Sequence, residues 1–263
     1  MYSKVRNEHS KKLKQILPVI NKFANTLEAC IAYENQKALL KTLEERNKEL
    51  NNYAHIVSHD LKSPLRNIDA LSSWLKEDHR EHLNDDAKQY LDLINENISR
   101  MEDLITGILE YSTIGAKSYR KEPVAISKII NDIVTHHVYI PEHIAIKIHP
   151  DFPVVQGDKH RLQQVFQNLI HNAIKYNDKE KGLIEVGFTI VNNKPEYFVK
   201  DNGIGIAKKY HKKIFNIFQK LENNKDSTGI GLSIVEKIVT NYGGYVKVFS
   251  EKGKGSSFVF TLD

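Results

Sequence analysis

A heptad repeat over residues 36–66 limits what this chain can fold into. Apolar residues, with one asparagine among them, recur every seven positions in two series offset by three, with no glycine and one proline, Pro64, in the stretch. The two series are Leu40, Asn47, Ala54 and Leu61, and Leu43, Leu50 and Val57. This spacing predicts a helix that packs along a second helix. The second helix belongs either to another copy of the chain, which we favour because a polar residue such as Asn47 can set register and oligomer state, or to the same subunit.

A second helical repeat predicts a hairpin. Residues 85–112 place apolar side chains three or four positions apart, at Ala87, Leu91, Ile94, Ile98, Met101, Ile105 and Ile108. The charged residues 76–86 lie between the two patterns and are expected to form the connecting loop. Two such hairpins would form a dimeric four-helix bundle. Upstream, residues 13–27 have helical spacing that we expect Pro18 to break, and they could extend the hairpin as a signalling helix.

Beyond residue 115 the chain mixes both periodicities. Residues 115–123 are typical of a linker. Helices are predicted over residues 127–137, 158–176 and 230–242, the first two with Ser127 and Asp158 as N-caps. Strands are predicted over residues 144–148, 183–191, 196–200, 245–249 and 256–262, with a hairpin turn at Asn192-Asn193. This mixture favours an α/β sandwich, so we expect an α+β chain in which the helical hairpin precedes an α/β domain.

The expected organisation has three parts. Residues 1–35 form a basic helical segment, residues 36–116 form the hairpin domain and residues 117–263 form the α/β domain. Residues 1–35 are too short for a full sensor domain, so the input signal is not readable and the chain could be the catalytic end of a longer protein.

Charge is concentrated at the N-terminus. The chain has 263 residues and a net charge of +5, and residues 1–22 contribute all of that excess. The remainder is neutral, which argues against nucleic-acid binding; the basic residues form a solvated helix face or contact an anionic membrane surface or partner. The single cysteine, Cys30, excludes a disulfide framework and a cysteine-based zinc site, and favours a cytoplasmic location. No apolar run is long enough to predict a transmembrane segment.

A histidine on the outer face of the first predicted helix is a candidate reactive group. In the heptad frame His59 lies away from the seam, and Asp60 follows it directly. A neighbouring carboxylate can hold one imidazole nitrogen by its proton and leave the other as a nucleophile. Position alone leaves both readings open, because the chain has 12 histidines and most exposed histidines have no catalytic role.

The predicted helix 158–176 carries polar side chains that suit a bound polyphosphate. Asn168 and Asn172 are four residues apart and share a face, and Lys175 and Tyr176 follow one turn later. Carboxamides can bind Mg²⁺ or its waters, lysine can bind phosphate and tyrosine can stack on a purine. The same residues would equally suit the solvent face of an amphipathic helix.

Glycine-rich turns form a third candidate site: DNGIGI at 201–206, STGIGLS at 227–233 and GKGSS at 253–257. In the second turn the glycines directly precede a helix, whose free N–H groups can bind phosphate. Asp201 ends a predicted strand, where its carboxylate could accept a hydrogen bond from an adenine amino group. Neither DNGIGI nor STGIGL matches the Rossmann or P-loop pattern, which disfavours those nucleotide sites.

Taken in order, six segments resemble those of bacterial sensor histidine kinases: SHDLKSPL, NLIHNAIKY, DNGIGI, IFNIFQKL, STGIGL and GKGSSF. The resemblance covers about residues 45–263, and IFNIFQKL is similar to the phytochrome-related branch. It implies a dimeric hairpin domain followed by a Bergerat-type ATP-binding domain. It also implies ATP-dependent autophosphorylation, with Mg²⁺, and transfer to an aspartate in the receiver domain of a response regulator.

The resemblance assigns roles by position. His59 would accept the γ-phosphoryl group and Asp60 would be its general base. Ser63, four residues after the histidine, stands where relatives with strong phosphatase activity carry Thr or Asn. On the nucleotide side, Asn172 would bind Mg²⁺ and Asn168 would support the metal and phosphates.

The remaining implied contacts surround the nucleotide. Lys175 would contact phosphate, Tyr176 would lie beside the adenine and Asp201 would bind its amino group. The other implied nucleotide-binding residues are Gly203, Gly205, Lys220, Thr228, Gly229, Gly231 and Leu232. Of these, Gly229 and Gly231 would hinge a lid over the phosphates, in a motif that begins here with Ser227 where the family commonly has glycine. Phe215 and Phe218 would anchor the base of that lid by packing.

The motifs leave two other function classes as alternatives. Chaperone and topoisomerase ATPases share the nucleotide fold, but they use a glutamate on the helix that here carries Asn168. A dimeric scaffold that binds ATP and signals by conformation is the non-enzymatic alternative. The presence of His59, Asp60, Asn172 and Asp201 argues against the scaffold.

Overall fold

The structure is a computed structural model that describes residues 2–79, 81–115, 122–221 and 227–262, without the side chains of residues 2–17, 19 and 20. The chain forms two compact units, Met1–Leu50 and Asn51–Asp263. Most of the predicted linker, at residues 116–121, and the basic side chains of residues 1–17 lie outside the described part.

Two long helices form the hairpin. Helix α1 spans Tyr2–Asp78 and helix α2 spans Asp85–Thr113. Asn84 caps α2, because its side chain accepts a hydrogen bond from the Ala87 backbone N–H at 2.8 Å. Helix α1 runs through both Pro18 and Pro64, so the expected break at Pro18 is wrong. A proline removes only one backbone donor, and residues that favour helix flank it on both sides.

The seam between α1 and α2 uses a different stripe of α1 from the predicted heptad series. Its buried residues are spaced by seven: Asn51, Ser58, Leu65 and Ser72. Leu65 packs against Ile98 and Ile105, two of the predicted apolar positions on α2. The intervening apolar positions stay exposed, namely Ile94, Met101 and Ile108 on α2 and Leu61 and Ile68 on α1. The hairpin therefore keeps an uncovered apolar face along both helices.

Seven strands lie in the described parts of the chain from residue 122 to 262. They are β1 Glu122–Ala125, β2 Ile144–Ile148, β3 Val154–Gly157, β4 Gly182–Val191, β5 Lys194–Asp201, β6 Val246–Glu251 and β7 Gly255–Thr261. Five form one sheet in the order β2-β4-β5-β7-β6, with β2 parallel to β4 and the other neighbours antiparallel. The β4–β5 hairpin turns at Asn192-Asn193 as predicted, and both residues have positive φ.

The two short strands β1 and β3 pair antiparallel in a separate sheet. Neither strand is predicted from the sequence. Each has four residues, too few to show alternation, and β1 contains Pro123.

In the described part of this domain, three helices share one apolar core with the five-stranded sheet. They are α3 Ile126–Asp132, which continues into a wider turn over Ile133–His137, α4 Lys159–Lys175 and α5 Gly231–Asn241. Asp158 caps α4 as predicted, accepting a hydrogen bond from the Arg161 N–H at 3.0 Å. Ser127 does not cap α3, because β1 leads directly into the helix and Ala125 takes the cap position.

The core lies between these helices and the sheet. Tyr197 of β5 and Phe260 of β7 stack with ring centroids 5.5 Å apart, and Phe166 of α4 meets both rings edge-on. The predicted helical hairpin followed by an α/β sandwich is therefore confirmed. Among the described residues, no helix is both long and apolar enough to cross a membrane.

Candidate functional site

His59 lies on α1 with its side chain 83% exposed. Its Nδ1 is 3.1 Å from Oδ1 of Asp60, whose carboxylate is also exposed. The carboxylate can therefore hold Nδ1–H, which leaves Nε2 accessible to a reactant. Ser63 lies one turn further along the helix and is exposed as well.

Helix α4 carries the next group of predicted residues. Asn168 donates its Nδ2–H to the Gln164 carbonyl at 2.8 Å, so its Oδ1 remains directed at α5. A Cβ at Gly231, the first residue of α5, would lie 2.6 Å from that oxygen. The glycine thus permits close approach of the two helices where the carboxamide sits. Asn172, Lys175 and Tyr176 are half-buried further along α4.

The group also contains a histidine that the sequence does not predict to be functional. His171 lies between the two asparagines and one turn before Lys175. Desolvation, and then the positive charge of Lys175, lower the pKa of His171 from its ordinary value. A histidine in a helix carries no sequence signal of such an environment.

The turn after β5 is built around Asp201. Its Oδ1 accepts hydrogen bonds from the N–H groups of Gly203 at 2.8 Å and Ser256 at 3.3 Å. Burial raises the pKa of Asp201, and these two hydrogen bonds act in the opposite direction. The turn is attached to α4, because the Ile204 N–H donates to the Tyr176 carbonyl at 3.1 Å.

Both glycines of this turn are required by close packing. A Cβ at Gly203 would lie 2.3 Å from the Tyr176 carbonyl oxygen, and one at Gly205 would lie 2.0 Å from that of Glu251. Gly205 also has a φ of +64°. The backbone beneath the predicted adenine position is therefore held against both α4 and the β6–β7 turn.

A backbone hydrogen bond joins the lid motif to the segment that follows the Asp201 turn. The Phe218 N–H donates to the Gly229 carbonyl at 2.9 Å, and Gly229 has a φ of +71°. Thr228 and Leu232 are half-buried on either side, whereas Lys220 is exposed. Residues 222–226, between Lys220 and the motif, lie outside the described part.

The two phenylalanines at the base of the lid differ. Phe215 is buried and packs edge-on against Phe258, as predicted. Phe218 is 51% exposed and has a φ of +65°, so its side chain does not anchor the lid. The hydrogen bond from the Phe218 N–H to the Gly229 carbonyl makes the connection instead.

The structure therefore brings the α4 residues, the Asp201 turn and the lid motif into one cluster. His59 stands apart from it: across the described ranges, no hydrogen bond or ion pair joins His59 to any residue of the cluster.

Polar contacts join α2 to α4 and α5. Gln164 donates to Glu110 at 3.0 Å, Arg161 donates to Thr113 at 3.2 Å and Lys237 donates to the Tyr111 carbonyl at 2.7 Å. Burial, and then the charge of Arg161, lower the pKa of Lys237. The sequence does not predict this interface, because its residues are ordinary polar side chains far apart in the chain.

Known protein families match the two halves of this arrangement. The family model described as His Kinase A (phospho-acceptor) domain matches residues 49–117. The model described as Histidine kinase-, DNA gyrase B-, and HSP90-like ATPase matches residues 157–263. Together the two models account for more than half of the chain.

Curated relatives agree with these matches. Cyanobacterial phytochrome B of Nostoc is 40% identical over 84% of this chain and 30% of its own length. The methanogenesis regulatory histidine kinase FilI of Methanothrix harundinacea is 31% identical over 84% of this chain and 25% of its own length. The chain therefore spans less than a third of the length of these relatives.

Solved structures share the fold. Full-length ShkA in complex with AMPPNP aligns with a TM-score of 0.61 at 24% identity, over 80% of this chain and 45% of ShkA. Histidine kinase ThkA in complex with response regulator protein TrrA aligns with a TM-score of 0.56 at 23% identity, over 83% of this chain and 64% of ThkA.

A phosphoacceptor hairpin joined to an ATP-binding domain defines a protein-histidine kinase. The chain belongs to the sensor histidine kinases, in their phytochrome-related branch. The family predicted from the sequence is therefore confirmed.

Proposed function

We propose that this chain uses ATP to phosphorylate its own His59 and then passes the phosphoryl group to an aspartate in the receiver domain of a response regulator. The observation that carries the proposal is the placement of His59, exposed on the hairpin with Nδ1 3.1 Å from the Asp60 carboxylate. Exposure gives access to a large phosphoryl donor, and the carboxylate prepares one nitrogen as the nucleophile.

The proposed transfer needs no reactant other than ATP and the side chains of His59 and Asp60. Nε2 of neutral His59 attacks the γ-phosphorus, the N–P bond forms, and the bond to the β–γ bridging oxygen breaks with its electrons going to ADP. The imidazole becomes positively charged as it attacks. Asp60 stabilises that charge and, as the general base, accepts the Nδ1 proton.

The ATP-side residues would position the donor. Asp201 would accept a hydrogen bond from the adenine amino group, in the turn shaped by Gly203 and Gly205, with Tyr176 beside the ring. Lys175 and Lys220 would contact the phosphates. The lid motif Thr228, Gly229, Gly231 and Leu232 would supply backbone N–H groups at the start of α5, where the helix dipole favours negative charge.

The residues present fit a magnesium ion that arrives with ATP. Within the described residues, no group of three or more His, Cys, Asp or Glu side chains could hold a metal by itself. The carboxamide of Asn172, supported by Asn168 one turn earlier, offers the neutral oxygen donors that Mg²⁺ accepts beside phosphate oxygens and water. When bound, the ion would neutralise charge on the transferring phosphates.

The chain would act as a homodimer. The uncovered apolar face of the hairpin and the exposed Leu40, Leu43 and Leu50 upstream support pairing of two copies. A response regulator as partner is supported by the similar fold of ThkA, which was solved in complex with response regulator protein TrrA. We place the chain in the cytoplasm, where ATP is available. The proposed functional parts are residues 1–35, 36–116 and 117–263.

Incubation with γ-labelled ATP and Mg²⁺ tests this function, comparing the wild type with His59→Gln. We expect label that is lost in acid, stable in base and absent from His59→Gln, with equal nucleotide affinity in both proteins. An ADP-release assay runs in parallel. Nucleotide binding without label would favour the scaffold, and ADP release without label would favour a simple ATPase.

A further inference from the structure

A basic segment, Lys208–Lys220, lies between the Asp201 turn and the lid motif. Residues 202–221 contain five lysines and no acidic residue. The lysines, all exposed, are Lys208, Lys209, Lys212, Lys213 and Lys220. In the described part of the chain, no ion pair engages any of them. Because the chain beyond residue 22 is neutral overall, this concentration of charge has an acidic counterpart elsewhere.

The segment is held in a fixed position. The Gly253 N–H donates to the Ile204 carbonyl at 2.6 Å, and the Ile206 N–H donates to the Ser250 hydroxyl at 2.7 Å. Ile214 and Phe215 are buried in its middle. The lysines are thus displayed on a frame that belongs to the ATP-binding domain, rather than on a loose loop.

The acidic counterpart is helix α2. It carries seven acidic and two basic residues. Glu96, Asp103 and Glu110 are seven residues apart and so form one stripe along the helix. Glu110 already accepts a hydrogen bond from Gln164 of the ATP-binding domain. Asp103 is exposed, and no cation among the described residues pairs with it.

The acidic stripe runs along α2 away from the residues that contact the ATP-binding domain. Helix α2 contacts α5 at two levels: Lys237 donates to the Tyr111 carbonyl, and Ile230 packs against Gly107. Residues before Gly107 therefore extend past the start of α5. At a rise of 1.5 Å per residue, Asp103 lies about 6 Å beyond Gly107 and Glu96 about 16 Å beyond it.

The end of the basic segment lies close to this extension. Phe218 is hydrogen-bonded to Gly229, the neighbour of Ile230, and Ile230 contacts α2 at Gly107. Exposed apolar side chains accompany the lysines here: Ile217, Phe218 and Leu221. The C-terminal end of the basic segment is thus linked, through Gly229 and Ile230, to the point where α2 contacts the ATP-binding domain.

We infer that the basic segment Lys208–Lys220 docks on the acidic stripe of its own α2, with the Gly107–Ile230 contact as pivot, and so positions the ATP-binding domain for phosphoryl transfer. The inference rests on the proposed function, because positioning matters only if phosphate is transferred. Each exposed pair contributes little and is screened by salt, but several pairs with complementary sign select one docking orientation.

Charge reversal tests the docking. Lys212→Glu with Lys213→Glu leaves Lys220, a proposed phosphate contact, intact. We expect nucleotide affinity to stay the same and autophosphorylation at saturating ATP to slow about tenfold, less so at high salt. Adding Asp103→Lys and Glu96→Lys in the same chain restores the rate. The control is Lys128→Glu with Lys200→Glu, a pair of exposed lysines on α3 and β5, which leaves the rate unchanged.

The outcomes separate this inference from the proposed function. A wild type without autophosphorylation removes the proposed function. An active wild type with an unaffected Lys212/Lys213 variant overturns the docking, as does equal slowing in the control pair. Slowing that the α2 reversals do not rescue also overturns it, and indicates that the lysines face another partner.

A second measurement does not depend on activity. The chain has one cysteine, so Cys30→Ser gives a cysteine-free background in which Asp103→Cys and Lys220→Cys are introduced. We expect a short thiol cross-linker to join them within one chain, more efficiently than Asp103→Cys with Lys128→Cys. Cross-linking only between chains would show that the partner's α2 is the docking site and would overturn the inference as stated.

Discussion

Gly107 of α2 lies directly against Ile230, the residue between the two glycines of the lid motif. A Cβ at position 107 would lie 2.7 Å from Ile230 Cδ1. A glycine within a helix costs about 1 kcal/mol relative to alanine, and here it makes room for the neighbouring side chain. The hairpin is thus in contact with the motif that is predicted to form the nucleotide lid.

Substitution at Gly107 is expected to separate α2 from α5 according to side-chain size. Alanine meets only the flexible end of Ile230, which can rotate away, whereas leucine cannot be accommodated. In Gly107→Leu, we expect faster hydrogen exchange of the amides of residues 107–113 and 231–237, and in Gly107→Ala exchange close to wild type. Ser99→Leu, at an exposed position of α2, is the control. Wild-type exchange in Gly107→Leu would show that this contact does not hold the domains together.

Asp201→Asn is expected to weaken nucleotide binding while sparing the fold. The amide oxygen can still accept from Gly203 and Ser256, but the charge that binds the adenine amino group is lost, so affinity falls about 10- to 100-fold. Titration calorimetry with an ATP analogue measures the loss. Undiminished affinity would remove Asp201 from the proposed site.

The same variant has a predictable pH dependence of stability. Burial raises the pKa of Asp201 in the folded state, so the folded state binds the proton more tightly than the unfolded state. The stability linked to this group is fully present below its ordinary pKa and is lost as the pH rises through the raised pKa. Asn avoids that loss. The free energy of unfolding of Asp201→Asn, relative to wild type, should therefore rise between pH 3 and pH 7 in denaturant titrations.

Two buried tyrosines should respond in opposite ways to loss of the hydroxyl. The Tyr197 hydroxyl is buried and, within the described residues, has no hydrogen-bond partner; burial raises its pKa to about 12. The Tyr242 hydroxyl accepts from the Asp158 N–H at 2.7 Å. We expect Tyr197→Phe to keep or raise the free energy of unfolding and Tyr242→Phe to lower it by about 1 kcal/mol. Thermal and denaturant unfolding of the pair measure the difference; a larger loss in Tyr197→Phe would reveal an unseen partner for its hydroxyl.

Charge on the exposed face of the hairpin should oppose dimerisation. Ile94 and Met101 are 42% and 48% exposed in the single chain and lie seven residues apart on α2. In Ile94→Asp with Met101→Asp, we expect the dimer dissociation constant to rise at least about tenfold, because burying a carboxylate in an apolar seam is costly. Light scattering across a concentration series measures it. Ser99→Asp, elsewhere on α2, should leave the dimer intact, and a double variant that dimerises like wild type would place the interface elsewhere.

Local patterns were enough to predict most of the elements. The cap of α4 at Asp158, the β4–β5 turn at Asn192-Asn193 and strand β2 are governed by side chains within a few residues of each other. The predicted cap at Ser127 is wrong, because the capping propensity of serine does not reveal that β1 runs directly into α3. The strands β1 and β3 form only by pairing with each other, so neither has a local signal.

What the sequence by itself determined is the set of chemical groups and their family: the His59–Asp60 pair, the asparagines of α4 and the glycine turns, each defined by short-range spacing. What only the tertiary structure decided is which of them meet. Asn168 approaches Gly231, Gly203 lies under the Tyr176 carbonyl, and α2 rests on α4 and α5 through Gly107, Glu110 and Tyr111. Such contacts join residues dozens of positions apart, and they depend on packing that spacing along the chain does not encode.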